Sequence, residues 1–79
     1  MQRILIVDDA PVIRKVARRI FEALHLEVQE VETASDAFRI CQNAMPEGIL
    51  IDAQLPGHIA VNFMRELRSQ PGGTTPHIV

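Results

Sequence analysis

A chain of 79 residues is one small domain, and with a single cysteine, Cys41, it has no disulfide framework to supplement its core. A net charge of −2, scattered basic residues and the absence of Trp and Tyr exclude a nucleic-acid surface, and 47% hydrophobic residues exclude disorder. Met1-Gln2-Arg3 runs straight into four apolar residues, too few for a signal peptide or a membrane span, so the expectation is a cytoplasmic chain with no membrane contact.

Arg3–Val7 reads as a strand, because Ile4-Leu5-Ile6-Val7 is a short unbroken run rich in β-branched residues, the pattern of a strand buried on both faces. The run stops at Asp8-Asp9. Pro11 suits a first helical turn, with Asp9 or Ala10 just before the helix. Ile13, Val16, Ala17, Ile20, Phe21 and Leu24 recur at helical spacing and predict an amphipathic helix with one core face. Arg14, Arg18 and Arg19 read as its solvated face. His25-Leu26 connects to Glu27–Val31, a weaker alternating strand expected at a sheet edge. Thr33-Ala34-Ser35-Asp36 has the form of a capping box with Asp in the usual Glu position. It opens a short helix marked by Ala37, Ile40, Cys41 and Ala44 and ended by Pro46. Gly48–Asp52 is the central strand, in which Ile49-Leu50-Ile51 stops at Asp52. Leu55-Pro56-Gly57 is a loop, and Val61, Met64 and Leu67, with Phe63, mark a third helix. Ser69–Pro76, with two Pro and two Gly, is loop, and His77-Ile78-Val79 begins a fourth strand.

The alternation βαβαβαβ predicts an α/β domain with a parallel sheet, right-handed crossovers and helices on both faces. Ligands of such sheets bind beyond the carboxyl ends of the strands. Asp8, Asp9 and Asp52 all arrive at that edge. Three carboxylates there repel one another unless a cation joins them, and hard oxygen ligands with a few waters suit Mg²⁺. An acidic metal pocket is the first functional expectation.

Ile4-Leu5-Ile6-Val7-Asp8-Asp9, Arg14 in the following helix, and Leu50-Ile51-Asp52-Ala53-Gln54-Leu55-Pro56-Gly57 together resemble the receiver domain of two-component response regulators. Phe63-Met64-Arg65-Glu66-Leu67-Arg68 is similar to the third helix of that family. The resemblance runs through residues 1–79 and covers the first two-thirds of a usual receiver. It implies a flavodoxin-like (CheY-like) doubly wound sheet with strand order 2-1-3-4, incomplete because the C-terminal third is missing. It implies Asp52 as phosphoacceptor, and Mg²⁺ held by Asp8, Asp9, Asp52 and the backbone carbonyl of Gln54. The implied partner is a histidine kinase or a histidine phosphotransfer protein, and the role is signalling rather than enzymatic. Two departures stand out: His58-Ile59-Ala60 follows Pro56-Gly57 where the family has a hydrophobic residue and then Asp-Gly, and His25 replaces the usual Gly after the first helix. His25 would then carry a left-handed cap at some cost. The family's Ser or Thr after strand four and its Lys after strand five fall past Val79.

Plainer readings stand beside these. Asp9 is a favoured residue type for capping the first helix, and Asp52 suits a strand-ending turn. His25, His58 and His77 have no metal-ligand spacing, and Cys41 at helical spacing fits a core. The alternative function is an incomplete receiver that acts by protein–protein association without competent phosphoryl transfer. The open fourth strand and uncovered apolar faces at Ile4, Ile6, Leu50 and Met64 predict a homo-oligomer. A haloacid dehalogenase-type hydrolase needs a second Asp where Ala10 stands, and Asp8-Asp9-Ala10-Pro11 replaces any Gly-rich phosphate loop.

Overall fold

The computed structural model describes every residue except Met1, Ala53, Gln54 and Pro56. Seven elements follow in the expected order: β1 (Arg3–Val7), α1 (Pro11–Ala23), β2 (Glu27–Val31), α2 (Ala34–Asn43), β3 (Gly48–Ile51), α3 (Gly57–Arg68) and β4 (His77–Ile78). The strands form one parallel sheet in the order β2-β1-β3-β4. The apolar runs β1 and β3 lie inside it, and the alternating β2 lies at the expected edge.

Side chains alternate along each strand, and the register pairs Leu5 with Ile49 and Val7 with Ile51. Leu5, Val7 and Ile49 meet Ala37 and Cys41 of α2 and Phe63 and Leu67 of α3 in one buried cluster. This is the core. The other face of the sheet, with Ile4, Gly48 and Leu50, opens on a groove that Phe21 of α1 also lines.

Local chemistry explains the helix ends. Pro11 takes the first turn of α1, where its missing N–H costs nothing. The residue before it is Ala10, which caps with no side-chain bond, so Asp9 is not a helix cap. At the far end of α1, His25 has φ 64°. The N–H of His25 donates to the carbonyl of Glu22 (2.9 Å), and that of Leu26 donates to Phe21 (3.1 Å). This is the Schellman arrangement, with His25 at the position that favours glycine, as the family resemblance implied. Thr33 caps α2 by accepting from the N–H of Asp36 (3.1 Å).

Four expectations need correction. The apolar face of α1 is not a core face: Ile13, Val16, Ile20 and Leu24, with Val12, are 50–71% exposed, and no residue of α1 is buried. Amphipathicity states a preference for burial, and among the described residues nothing covers the stripe. In α3, helix already begins at Gly57, and Val61 is exposed while Phe63 and Leu67 carry the packing. Ile6 is buried, so the uncovered sheet face is confined to its partly buried neighbours Ile4 and Leu50. Finally, Arg14 and Arg18 do not form a freely solvated face; both reach the end of β2. Among the described residues, no helix is long and apolar enough to cross a membrane.

Candidate functional site

The sheet register builds the site. Val7 and Ile51 are partners on adjacent strands, so the residues that follow them, Asp8 and Asp52, leave the sheet side by side. Backbone bonds extend the ladder by one step: the N–H of Asp52 donates to Val7 (2.9 Å), and that of Asp8 donates to Val31 of β2 (3.1 Å). One carboxylate oxygen from each of Asp8, Asp9 and Asp52 lies within 4.8 Å of the others. With Ala10 and Ile13 they line a pocket of about 410 Å³.

Asp8 is only 8% exposed, while Asp9 faces solvent and Asp52 is half-buried. The buried carboxylate is satisfied in part by its own loop, since the N–H of Ala10 donates to Oδ1 of Asp8 (2.8 Å). The carbonyl of Asp52 accepts from the N–H of Leu55 at 3.3 Å. The expected contribution of the Gln54 carbonyl lies outside the described residues.

The donor set fits Mg²⁺. It offers hard carboxylate oxygens alone, from three side chains of graded exposure, with an open side for water. Ligands about 2.1 Å from such an ion stand up to about 4.2 Å apart across it. Oxygens within 4.8 Å of one another therefore match the span that one such ion, with or without an intervening water, can join. Among the described residues, this is the one group of three or more His, Cys, Asp or Glu side chains placed to hold a metal. His25, His58 and His77 take no part in it. Cys41 lies in the core, and burial pushes its thiol up, away from the reactive thiolate.

The sequence reading missed one participant. Arg14, with a side chain 13% exposed, donates from Nη1 to the carbonyl of Asp8 (2.7 Å) and from Nε to Glu30 (3.2 Å). Its Nη2 lies 3.8 Å from Glu32. Arg18 bonds the same Glu30 and holds that carboxyl below its ordinary value, with Arg14 adding to the effect. A signal was available: Glu30 and Glu32 stand at the end of β2, the strand that flanks β1 beside this loop.

A CheY-like doubly wound sheet with an acidic cluster at its carboxyl edge defines a class, and comparison with known proteins agrees. The chain belongs to the response regulator receiver domain family, whose pattern it matches over residues 4–79. It is 37% identical over 71 residues to the protein-glutamate methylesterase/protein-glutamine glutaminase of group 3 operon from Rhodopseudomonas palustris, covering 86% of this chain and 19% of that protein. Chemotaxis response regulator CheY4 of Vibrio cholerae superposes with a TM-score of 0.89 at 24% identity, over 99% of this chain and 65% of that one. The receiver domain of sensor histidine kinase PA1611 from Pseudomonas aeruginosa PAO1, with a magnesium ion coordinated in its active site cleft, gives 0.87 at 31% identity, over 98% and 63%. The 79 residues thus span just under two-thirds of these solved receivers and about a fifth of the methylesterase.

Proposed function

We propose that this chain is the phosphoacceptor part of a two-component phosphorelay, with Asp52 as the residue that takes the phosphoryl group. The observation that carries the proposal is the convergence of Asp8, Asp9 and Asp52 within 4.8 Å at the carboxyl ends of β1 and β3. In the proposed step, a carboxylate oxygen of Asp52 forms the new P–O bond as the P–N bond of a partner's phosphohistidine breaks. The electron pair returns to the imidazole nitrogen. The partner is a histidine kinase or a histidine phosphotransfer protein.

Asp8 and Asp9, with Asp52 and the carbonyl of Gln54, would hold Mg²⁺, in keeping with the magnesium in the cleft of the PA1611 receiver. Bound there, the ion offsets the negative charge of nucleophile and phosphoryl group. Asp8, buried and bonded to the Ala10 N–H, would give a fixed anchor, and Asp9 a solvent-facing one. The residues correspond to the first part of the solved receivers they match.

Mg²⁺ titration followed by melting tests the pocket: the melting temperature should rise with Mg²⁺, and Asp9→Ala should abolish the response. A variant that responds as the parent does would show the pocket to be misassigned. Acetyl phosphate followed by intact mass tests the nucleophile. Modification that vanishes in Asp52→Asn is expected; modification surviving in that variant would refute the site.

The exposed stripe on α1 supports a further proposal, that these residues form a homo-oligomer, since patches of this kind mark interfaces. Sedimentation should show association at high micromolar concentration, weakened by Ile20→Asp. A monomer at all concentrations would remove the proposal.

A further inference from the structure

We propose that Arg14 is a positioning residue of the acidic pocket: its guanidinium fixes the Asp8–Asp9 peptide, and through it the geometry in which the two carboxylates are offered to a cation. The inference rests on the reading of the pocket as a cation site and adds a residue to it.

The Asp8–Asp9 segment leaves β1, and the chain must turn into α1 within three residues, Asp8 to Ala10. Three contacts hold it. The N–H of Asp8 is bound by Val31 (3.1 Å), its carboxylate by the N–H of Ala10 (2.8 Å), and its carbonyl by Nη1 of Arg14 (2.7 Å). That carbonyl belongs to the peptide joining Asp8 to Asp9, so the arginine sets the plane from which the Asp9 side chain departs. The other contacts are internal to the loop and the sheet. Among the described residues, the arginine bond is what ties this peptide to the body of α1.

The clamp is itself held. Nε of Arg14 bonds Glu30 at 3.2 Å, and Nη2 lies 3.8 Å from Glu32. Glu30 also bonds Arg18, whose Nη2 donates to the carbonyl of Val28 (3.3 Å). The guanidinium is therefore fixed by two hydrogen bonds from different nitrogens, with a longer ion pair to Glu32 beside them. Lysine has one ammonium and cannot reproduce that arrangement. Partners of this kind, which orient a metal ligand without touching the metal, typically change affinity by roughly 10–100-fold when removed.

Charge and position make opposite predictions. Arg14 is a cation beside a cation site. If its influence were electrostatic only, removing it would tighten Mg²⁺ binding. If it positions the peptide, removing it weakens binding.

The test compares parent, Arg14→Gln and Arg14→Lys by Mg²⁺ titration calorimetry and by the amide NMR signal of Asp9 without metal, at a temperature where all three are folded. Arg14→Gln should bind Mg²⁺ roughly 10–100-fold more weakly and shift the Asp9 amide. Arg14→Lys, which keeps one donor for the Asp8 carbonyl, should recover part of both. Unchanged or tighter binding with an unmoved Asp9 amide would overturn the inference, even if the variant melted earlier. If the parent itself bound no Mg²⁺, the cation reading would fall, and the Asp9 amide would still decide whether Arg14 fixes the peptide.

Discussion

On one face of the sheet, α2 and α3 press Ala37, Cys41, Phe63 and Leu67 against Leu5, Val7 and Ile49, and all seven are buried. On the other face, α1 lies across the sheet with none of its residues buried. Both sides carry amphipathic helices, yet on the α1 side the sheet buries only the side chains of Ile6 and Val28, and the helix's own apolar stripe stays exposed. α1 depends on devices that act locally or at its edge: Pro11 at its start, the Schellman turn at His25, and the Arg14–Glu30–Arg18 network to β2. The contrast shows that an apolar stripe does not stabilise a helix until something covers it. Without cover, caps and ion pairs carry a share of the work that is large for their size.

The sharpest test sets one face against the other. Phe63→Ala should cost about 3–5 kcal/mol, because it opens a cavity in the closed face. Ile20→Ala, at a residue 56% exposed, should change stability by about 0.5 kcal/mol or less. Urea unfolding of both variants measures the gap, and equal losses would mean that α1 is buried in solution.

Next in size is Gly73, on the closed side after α3. A Cβ there would lie 1.7 Å from the carbonyl oxygen of Leu67, a backbone atom that cannot swing away. The Gly73 carbonyl also accepts from Nη1 of Arg68 (2.8 Å). Gly73→Ala should cost about 1–3 kcal/mol by displacing the end of α3, with Leu67 beside it in the core. Thermal unfolding checks this.

The two smaller effects lie on the open side. His25→Gly should stabilise the chain by about 1 kcal/mol, since φ 64° is costly for a residue with a Cβ. A lower melting temperature for that variant would mean that the imidazole makes up for the strain.

Glu30 gives the smallest effect and a pH signature. Its folded value lies below the ordinary 4.5, chiefly through the Arg18 hydrogen bond. The stability it contributes is therefore complete above about pH 4.5 and is lost as pH falls through the lower folded value. The groups are partly exposed, so the loss should be about 0.2–1 kcal/mol. Glu30→Gln should flatten that part of the acid side of the stability curve.

Much of this was open to reading in the chain, for a physical reason. Strand and helix periods, the Pro11 start and the Thr33 cap are properties of short segments, and short segments are what a sequence displays directly, whereas the left-handed His25 was implied only by the family resemblance. The strand-terminal positions of Asp8, Asp9 and Asp52 belong to the same class, because parallel packing of two apolar runs brings their carboxyl ends together. What only the tertiary structure decided is how far each local preference is satisfied. The periodicity of Ile13, Val16, Ile20 and Leu24 equals that of a core helix, but their exposure depends on whether a neighbouring layer exists. Arg14 has the composition of a solvated face, but its burial depends on where the end of β2 carries Glu30 and Glu32 and on where the Asp8 carbonyl points. Those are distances between segments that meet only after the sheet forms, and no local period encodes them.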